Sequence, residues 1–420
     1  MDKFLIKGGK RLKGEVVVAS AKNAVLPLMA ASILADSEVR LKNVPDLMDV
    51  RTMSTLLSSF GCLVKREGKD LIIDPKGINN LIADYEIVRK MRASFFVLGP
   101  LLVKYKRAKV SLPGGCTIGP RPVDLHLKGL SALGANLKVE EGYVVGETKG
   151  LKGEEIFLMG NRGPSVGATA NVLMAAVLAE GKTVIEGAAC EPEIVDLSNF
   201  LSKMGAKIKG AGTPRIEIEG VKGLSGVEYQ PIPDRIEAGT LACACAITGG
   251  EVRIKNCLPE HLTAVLEKLR ECGVEVEEGK GEIRIKREKD LLGVNITTAP
   301  YPGFPTDMQA QFMALLTIAN GKSVITETIF EDRLTHAVEL QRFGAKITVN
   351  DNIAIVEGIK ELSGAPVMAS DLRASASLVL AGLVAKGETI VSRIYHLDRG
   401  YERLEEKLNS LGAEIRRVSD

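Results

Sequence analysis

Residues 200–210 read FLSKMGAKIKG: a helical pattern that ends at Gly205, followed by a short strand. The same phrase recurs as LLSSFGCLVKR at 56–66, GLSALGANLKV at 129–139, KLRECGVEVEE at 268–278, ELQRFGAKITV at 339–349 and KLNSLGAEIRR at 407–417. Its glycines, Gly61, Gly134, Gly205, Gly273, Gly344 and Gly412, stand 68–73 residues apart. A helix C-cap explains one such glycine. Six at nearly constant spacing mark an internal repeat.

A second phrase repeats in phase with the first. An Ala-rich helical run leads through a glycine turn into a β-branched strand in TANVLMAAVLAEGKTVIEG (169–187), GTLACACAITGGEVRIKN (239–256), MQAQFMALLTIANGKSVITET (308–328) and SASLVLAGLVAKGETIVSR (375–393). AVLPLMAASILADSEVRLKN (24–43) and ASFFVLGPLLVKYKRAKVSL (93–112) complete the six. These runs are apolar nearly all round, so their helices belong inside a domain, while more amphipathic stretches such as RLEEKLNSL face water. Each unit therefore reads as strand, buried helix, strand, surface helix and strand pair. One unit cannot cover its own helix. Two compact α/β domains of three repeats each are the natural packing for 420 residues.

Composition narrows the function. Apolar residues make up 45% but aromatics only 4%, with no Trp, so Ala, Val, Ile, Leu and Met must build the core. A net charge of +2 gives no support to a nucleic-acid binder, and only a local cluster of cations would serve an anionic ligand. The start MDKFLIKGGKRLKGE lacks the apolar core of a signal peptide, and ASFFVLGPLLV is too short to span a bilayer. A soluble, cytoplasmic protein is expected. Seven scattered cysteines fit neither a disulfide framework nor a redox pair, and Cys243 and Cys245 read as small buried hydrophobes. The four histidines are far apart and give no metal-site spacing.

Several stretches carry chemistry. SAKNAVLPL sets Lys22 and Asn23 before an apolar helix, as an anion site or as a cap with a solvated lysine. GPRPVDLH holds Arg121 between prolines, and NRGPSVGAT puts Ser165 and Gly167 at another helix start, as ligand contacts or as capping. YPGFPTDMQAQF places Asp307 at the mouth of a helix, either as a cap or as a general base. Arg333, Asp371, Arg373, Arg393, Asp398 and Arg399 open later repeats, where the core needs no charge. Converging arginines suit a ligand with phosphate and carboxylate groups. In SLPGGCTIGPRPVDLH (111–126), Cys116 follows two glycines close to Arg121: an inert loop cysteine or a reactive, proton-donating thiol.

Taken together, SAKNAVLP, RKMRAS, LPGGCTIGPRPVDLH, SVGAT, EPEIVDL, PDRIEAGT, FPTDMQAQ, DLRASASLVLAG and YHLDRGYERLEEKL resemble the enolpyruvyl transferases, collinearly and over essentially the whole chain. The PGGCTIG loop is similar to that of members whose acceptor is UDP-N-acetylglucosamine, and is not found in this form in those acting on shikimate 3-phosphate.

The resemblance implies an inside-out α/β barrel fold: two similar domains, each of three βαβαββ-like repeats, with buried helices surrounded by sheets. One domain would hold residues 22–229 and the other residues 1–21 with 230–420, the active site lying in the cleft between them. The implied activity moves the enolpyruvyl group of phosphoenolpyruvate to the 3′-hydroxyl of UDP-N-acetylglucosamine by addition and elimination, releasing phosphate. This is the first committed step of peptidoglycan synthesis, and no cofactor or metal is implied.

By the same resemblance, Cys116, on a mobile loop, is the proton donor to C3 and the target of fosfomycin. Asp307 is the base and a sugar ligand. Lys22, Asn23, Arg121, Arg333, Arg373 and Arg399 hold phosphoenolpyruvate, with Lys22 and Arg399 counted as catalytic. Arg92, Arg121, Pro122, Val123, Asp124, Leu125, Ser165, Val166, Gly167, Asp307 and Ile329 bind the nucleotide sugar, and Asp371 supports the closed state. Some members carry a diphosphate-contacting lysine where this chain has Gly163, and Arg162 beside it would supply the charge.

Overall fold

The computed structural model describes residues 2–113 and 123–419. Two compact units divide them, residues 20–113 with 123–232 and residues 2–19 with 233–419.

All six repeat glycines do the same work. Gly61, Gly134, Gly205, Gly273, Gly344 and Gly412 sit at φ between 84° and 115°, the left-handed region that a side chain disfavours and that ends a helix. The strands they release, Leu63–Glu67, Asn136–Glu140, Lys207–Lys209, Glu275–Gly279, Lys346–Asn350 and Glu414–Val418, each take an edge of a four-stranded sheet. Charged residues along them, among them Lys65, Lys207 and Lys346, protect these edges against pairing with another chain.

In the unit of residues 20–232, the three sheets centre on Val39–Leu41 with Asp70–Asp74, Arg107–Ser111 with Tyr143–Glu147, and Lys182–Glu186 with Arg215–Glu219. Inside them lie Lys22–Ala31, the 3-10 turn Arg92–Val97 running into Leu98–Tyr105, and Val166–Ala176. Every residue from Ala168 to Ala176 is buried, as the all-round apolar pattern requires. Glu228–Tyr229 closes the set by pairing in parallel with Val39–Leu41 of the first repeat.

The second unit repeats the plan around helices Arg235–Thr248, Gln309–Leu316 and Leu372–Val384. Cys243 and Cys245 lie fully buried in the first of these. Here the start of the chain closes the ring. Lys3–Lys7 pairs with both Glu388–Ser392 and Glu414–Val418, and Lys13–Val17 pairs with Glu251–Lys255. No helix among the described residues is long and apolar enough to cross a membrane.

One amphipathic helix departs from the expected exposure. Pro192–Met204 buries Glu193, Asp196 and Ser198 as well as its apolar face. The closing segment lies over it: Tyr229 Oη donates to Asp196 Oδ1 at 2.7 Å, and the Ile232 amide donates to Oδ2 at 3.4 Å.

Candidate active site

Three aspartates open the three inner helices of the unit formed by residues 2–19 and 233–419. Asp234 and Asp371 behave as caps: their carboxylates accept backbone N–H bonds from Ile236 and Glu237, and from Arg373 and Ala374, respectively. Asp307 does not. It lies in the 3-10 turn Thr306–Met308, and the following helix Gln309–Leu316 has no side-chain cap. Its two oxygens are taken instead by guanidinium groups, Oδ1 by Arg333 Nη2 at 2.7 Å and Oδ2 by Arg373 Nη2 at 2.8 Å.

Both arginines are buried, whereas 26% of the Asp307 side chain is exposed. Burial alone would raise the Asp307 pKa. The charges of Arg373 and Arg333 outweigh it and hold the carboxyl well below the usual range. Arg373 also donates from Nη1 to Tyr401 Oη at 3.1 Å, which in turn bonds Thr240 Oγ1 at 2.8 Å. Arg399 ends the 3-10 turn Ile394–Arg399, two residues before that tyrosine. Asp398 is committed elsewhere, to a two-point ion pair with Arg417 at 2.7 and 2.9 Å. Ile329 follows the strand Lys322–Thr326 and donates its amide to Glu327 Oε1 at 2.8 Å.

In the unit of residues 20–232, Lys22 opens the helix Lys22–Ala31, whose cap residue is Ala21, so Asn23 is not a cap. The Lys22 ammonium lies 3.4 Å from Asp49 Oδ2, with only 13% and 4% of the two side chains exposed. Helix Lys22–Ala31 packs on the Arg92–Val97 turn.

Asn171 ties together the segments that carry the proposed nucleotide-sugar contacts. Its Oδ1 accepts from the Gly99 amide at 2.7 Å, which fixes the side-chain orientation. Its Nδ2 reaches the Phe95 carbonyl at 2.9 Å and His126 Nδ1 at 3.0 Å. The buried His126 ring is pushed down to about 3 by desolvation and then by the Arg92 charge, so it is neutral and Nδ1 accepts. A Cβ on Gly167 would lie 3.0 Å from His126 Nε2, so this glycine lets the two segments approach. Arg92, the 123–125 segment and the 165–167 helix start are thereby drawn together. Ser165 does cap its helix, accepting from the Ala168 amide at 3.2 Å.

Cys116, Arg121 and Pro122 lie outside the described residues.

The sequence model of the family described as EPSP synthase (3-phosphoshikimate 1-carboxyvinyltransferase) matches residues 6–408. The chain belongs to this family of enolpyruvyl transferases. It is 54% identical over 420 residues to the UDP-N-acetylglucosamine 1-carboxyvinyltransferase of Geotalea uraniireducens, covering 100% of both chains. It is also 54% identical over 415 residues to UDP-N-acetylglucosamine 1-carboxyvinyltransferase 1 of Caldanaerobacter subterraneus, covering 99% of each. Among solved structures, the enolpyruvyl transferase NikO from Streptomyces tendae is similar over 100% of this chain and 99% of its own, with a TM-score of 0.89 at 26% identity. EPSP synthase from Acinetobacter baumannii, at 20% identity and a TM-score of 0.77 over the whole of both chains, shares the fold.

This enolpyruvyl transferase accommodates glycine at 163 for a backbone reason. Gly163 has φ 93° and pairs with Gly160 in a short hairpin, where a lysine would be strained. Sequence reasoning missed Asp49, Thr306, Glu327 and Tyr401. Asp49 looks like an ordinary first-turn acid of an amphipathic helix, and only the ion pair with Lys22 distinguishes it. Nothing local separates Tyr401 or Thr306 from core and turn residues.

Proposed function

We propose that the protein transfers the enolpyruvyl group of phosphoenolpyruvate to the 3′-hydroxyl of UDP-N-acetylglucosamine, releasing phosphate, in the cytoplasmic stage of peptidoglycan synthesis. The observation that carries this reading is the Asp307 carboxylate held between two buried arginines at the start of a helix that it does not cap.

The chemistry divides into two half-reactions. In the addition, C3 of phosphoenolpyruvate gains a proton while the 3′-oxygen bonds to C2 and gives up its own proton. In the elimination, the tetrahedral intermediate loses a C3 proton and the C2–O bond to phosphate breaks. Cys116 serves C3, and Asp307 accepts the hydroxyl proton. Lys22, Arg121, Arg333, Arg373 and Arg399 balance the phosphate and carboxylate charges, the arginines with guanidinium forks suited to two-point pairs, and the Asn23 amide adds a neutral hydrogen bond to phosphoenolpyruvate. Arg92, Arg121, Pro122, Val123, Asp124, Leu125, Ser165, Val166, Gly167 and Ile329 hold the nucleotide sugar. The reading requires both sets of residues, and therefore both units, to serve one substrate pair.

The ion triad adds a condition. With both oxygens paired, Asp307 has little basicity. A substrate anion that engages Arg373 or Arg333 loosens that pairing and returns Asp307 toward an ordinary carboxylate, so anion binding arms the base.

Phosphate release from phosphoenolpyruvate, measured with and without UDP-N-acetylglucosamine, tests the reading. Release should depend on the sugar nucleotide and be absent with shikimate 3-phosphate. Sugar-independent release, or release only with shikimate 3-phosphate, overturns the acceptor. Fosfomycin should alkylate Cys116 and abolish turnover.

A further inference from the structure

We propose that Glu327 is a positioning residue of the transfer reaction, holding Arg333 and through it Asp307 in register with the Ile329 backbone; this rests on the active-site assignment above. Glu327 directly follows the strand Lys322–Thr326 and is 1% exposed. Its backbone is fastened on both sides, the N–H to the Asn352 carbonyl at 2.8 Å and the carbonyl to Asn352 Nδ2 at 2.9 Å. The carboxylate gathers four donors. Oε1 accepts from Thr298 Oγ1 at 2.9 Å and from the amides of Ile329 and Phe330 at 2.8 and 3.2 Å, while Oε2 accepts from Thr306 Oγ1 at 2.8 Å.

Donor chemistry sets the direction of the bonds between Arg333 and Glu327. Arg333 Nη1 lies 2.9 Å from Thr306 Oγ1. A guanidinium only donates, so the threonine oxygen accepts from it and sends its single proton to Glu327. The chain of bonds therefore runs from Asp307 through Arg333 and Thr306 to Glu327, and it ends on a carboxylate because only an acceptor can end it. The same carboxylate orders Ile329.

The repeat shows that the fold alone does not ask for this residue. After three of the corresponding central strands stand Gly187, Asn256 and Arg393, in left-handed turns with φ of 71°, 56° and 59°, and after Val39–Leu41 and Arg107–Ser111 stand Lys42 and Leu112, neither at positive φ; none of the five is an acid. Glu327 departs from that pattern. A buried carboxylate is costly unless its lone pairs are satisfied, and here they are satisfied by the segments that carry Asp307, Ile329 and Arg333.

The test uses full-length Glu327→Gln, Thr306→Val and the double variant, each checked for folding by thermal unfolding. Glutamine keeps the shape, but its amide places a donor against either the backbone N–H pair or Thr306. Loss of registration should lower kcat about ten- to a hundred-fold. The acidic limb of the pH–rate profile should move to higher pH, because a looser Arg333 depresses the Asp307 pKa less. The two single substitutions break one chain, so the double variant should be no slower than the slower single. Thr306→Val carries the test if Glu327→Gln fails to fold. Wild-type kcat with an unmoved acidic limb in a folded variant, or additive losses, overturns the proposal. Carbon-13 carboxyl NMR titration of Asp307 reads the same coupling without turnover: an upward pKa shift in the variants supports it, and no shift overturns it. An inactive wild type would instead condemn the assigned reaction.

Discussion

Asp234, Asp307 and Asp371 occupy equivalent places in three copies of one repeat, yet only Asp307 turns from the backbone to a pair of guanidiniums. Sequence left Asp307 open between cap and base, since both roles put an acid at a helix start. The contacts decide against the cap. Asp307→Asn should keep the shape and lose the charge. Its kcat should fall by about 10²–10⁴-fold, the usual worth of a general base. Stability should fall by on the order of 2 kcal/mol, less than the cost of breaking a fully buried pair because part of the Asp307 side chain is exposed. Steady-state kinetics and thermal unfolding check both. The native Asp307 pKa is depressed, so its contribution to stability is present above the unfolded value near 3.9 and is lost as pH falls below it.

At the scale of elements, the helix Pro192–Met204 shows where periodicity misleads. Its pattern is amphipathic, but its polar side is covered by the segment that closes its unit, a contact between residues more than thirty positions apart. Desolvation raises Asp196 to about 6, partly offset by the hydroxyl of Tyr229 and the amide of Ile232. A raised carboxylate acts in the opposite direction to Asp307: its stabilising contribution is full below pH of about 4 and is lost as pH rises from about 4 to about 6. Two pKa units correspond to on the order of 3 kcal/mol. Asp196→Asn should remove this loss, so the stability of wild type and variant, followed by urea unfolding between pH 4 and 7, should diverge as pH rises. Parallel curves would contradict it.

Over the whole molecule, the sixfold glycine spacing and the Ala-rich helices made the repeat plan legible, because each repeat carries its own cap and its own apolar run. Closure of the second unit by the start of the chain was not legible in the residues themselves; only the family resemblance placed residues 1–21 with 230–420. That Lys3–Lys7 lies between Glu388–Ser392 and Glu414–Val418 is a pairing of chain ends, and no local pattern encodes it. Partners of buried polar groups were hidden for the same reason: Lys22 with Asp49, and Glu327 with Thr306, meet only after folding.

The closure predicts an asymmetry between fragments. Residues 20–232 contain their own closing strand, Glu228–Tyr229, and should unfold cooperatively when expressed alone. Residues 233–420 lack Lys3–Lys7 and Lys13–Val17, leaving two sheets incomplete, and should aggregate unless residues 1–19 are supplied. Circular dichroism melts and size-exclusion chromatography distinguish the two outcomes.

The central claim is that a carbon unit moves from phosphoenolpyruvate to a sugar oxygen. Carbon-13 at C3 of phosphoenolpyruvate tests it directly. After incubation with UDP-N-acetylglucosamine, the label should appear as a vinyl methylene attached through the 3′-oxygen of the sugar nucleotide, with one phosphate released for each label transferred. Label that stays in phosphoenolpyruvate, or that appears as free pyruvate with the sugar nucleotide unchanged, would contradict the account.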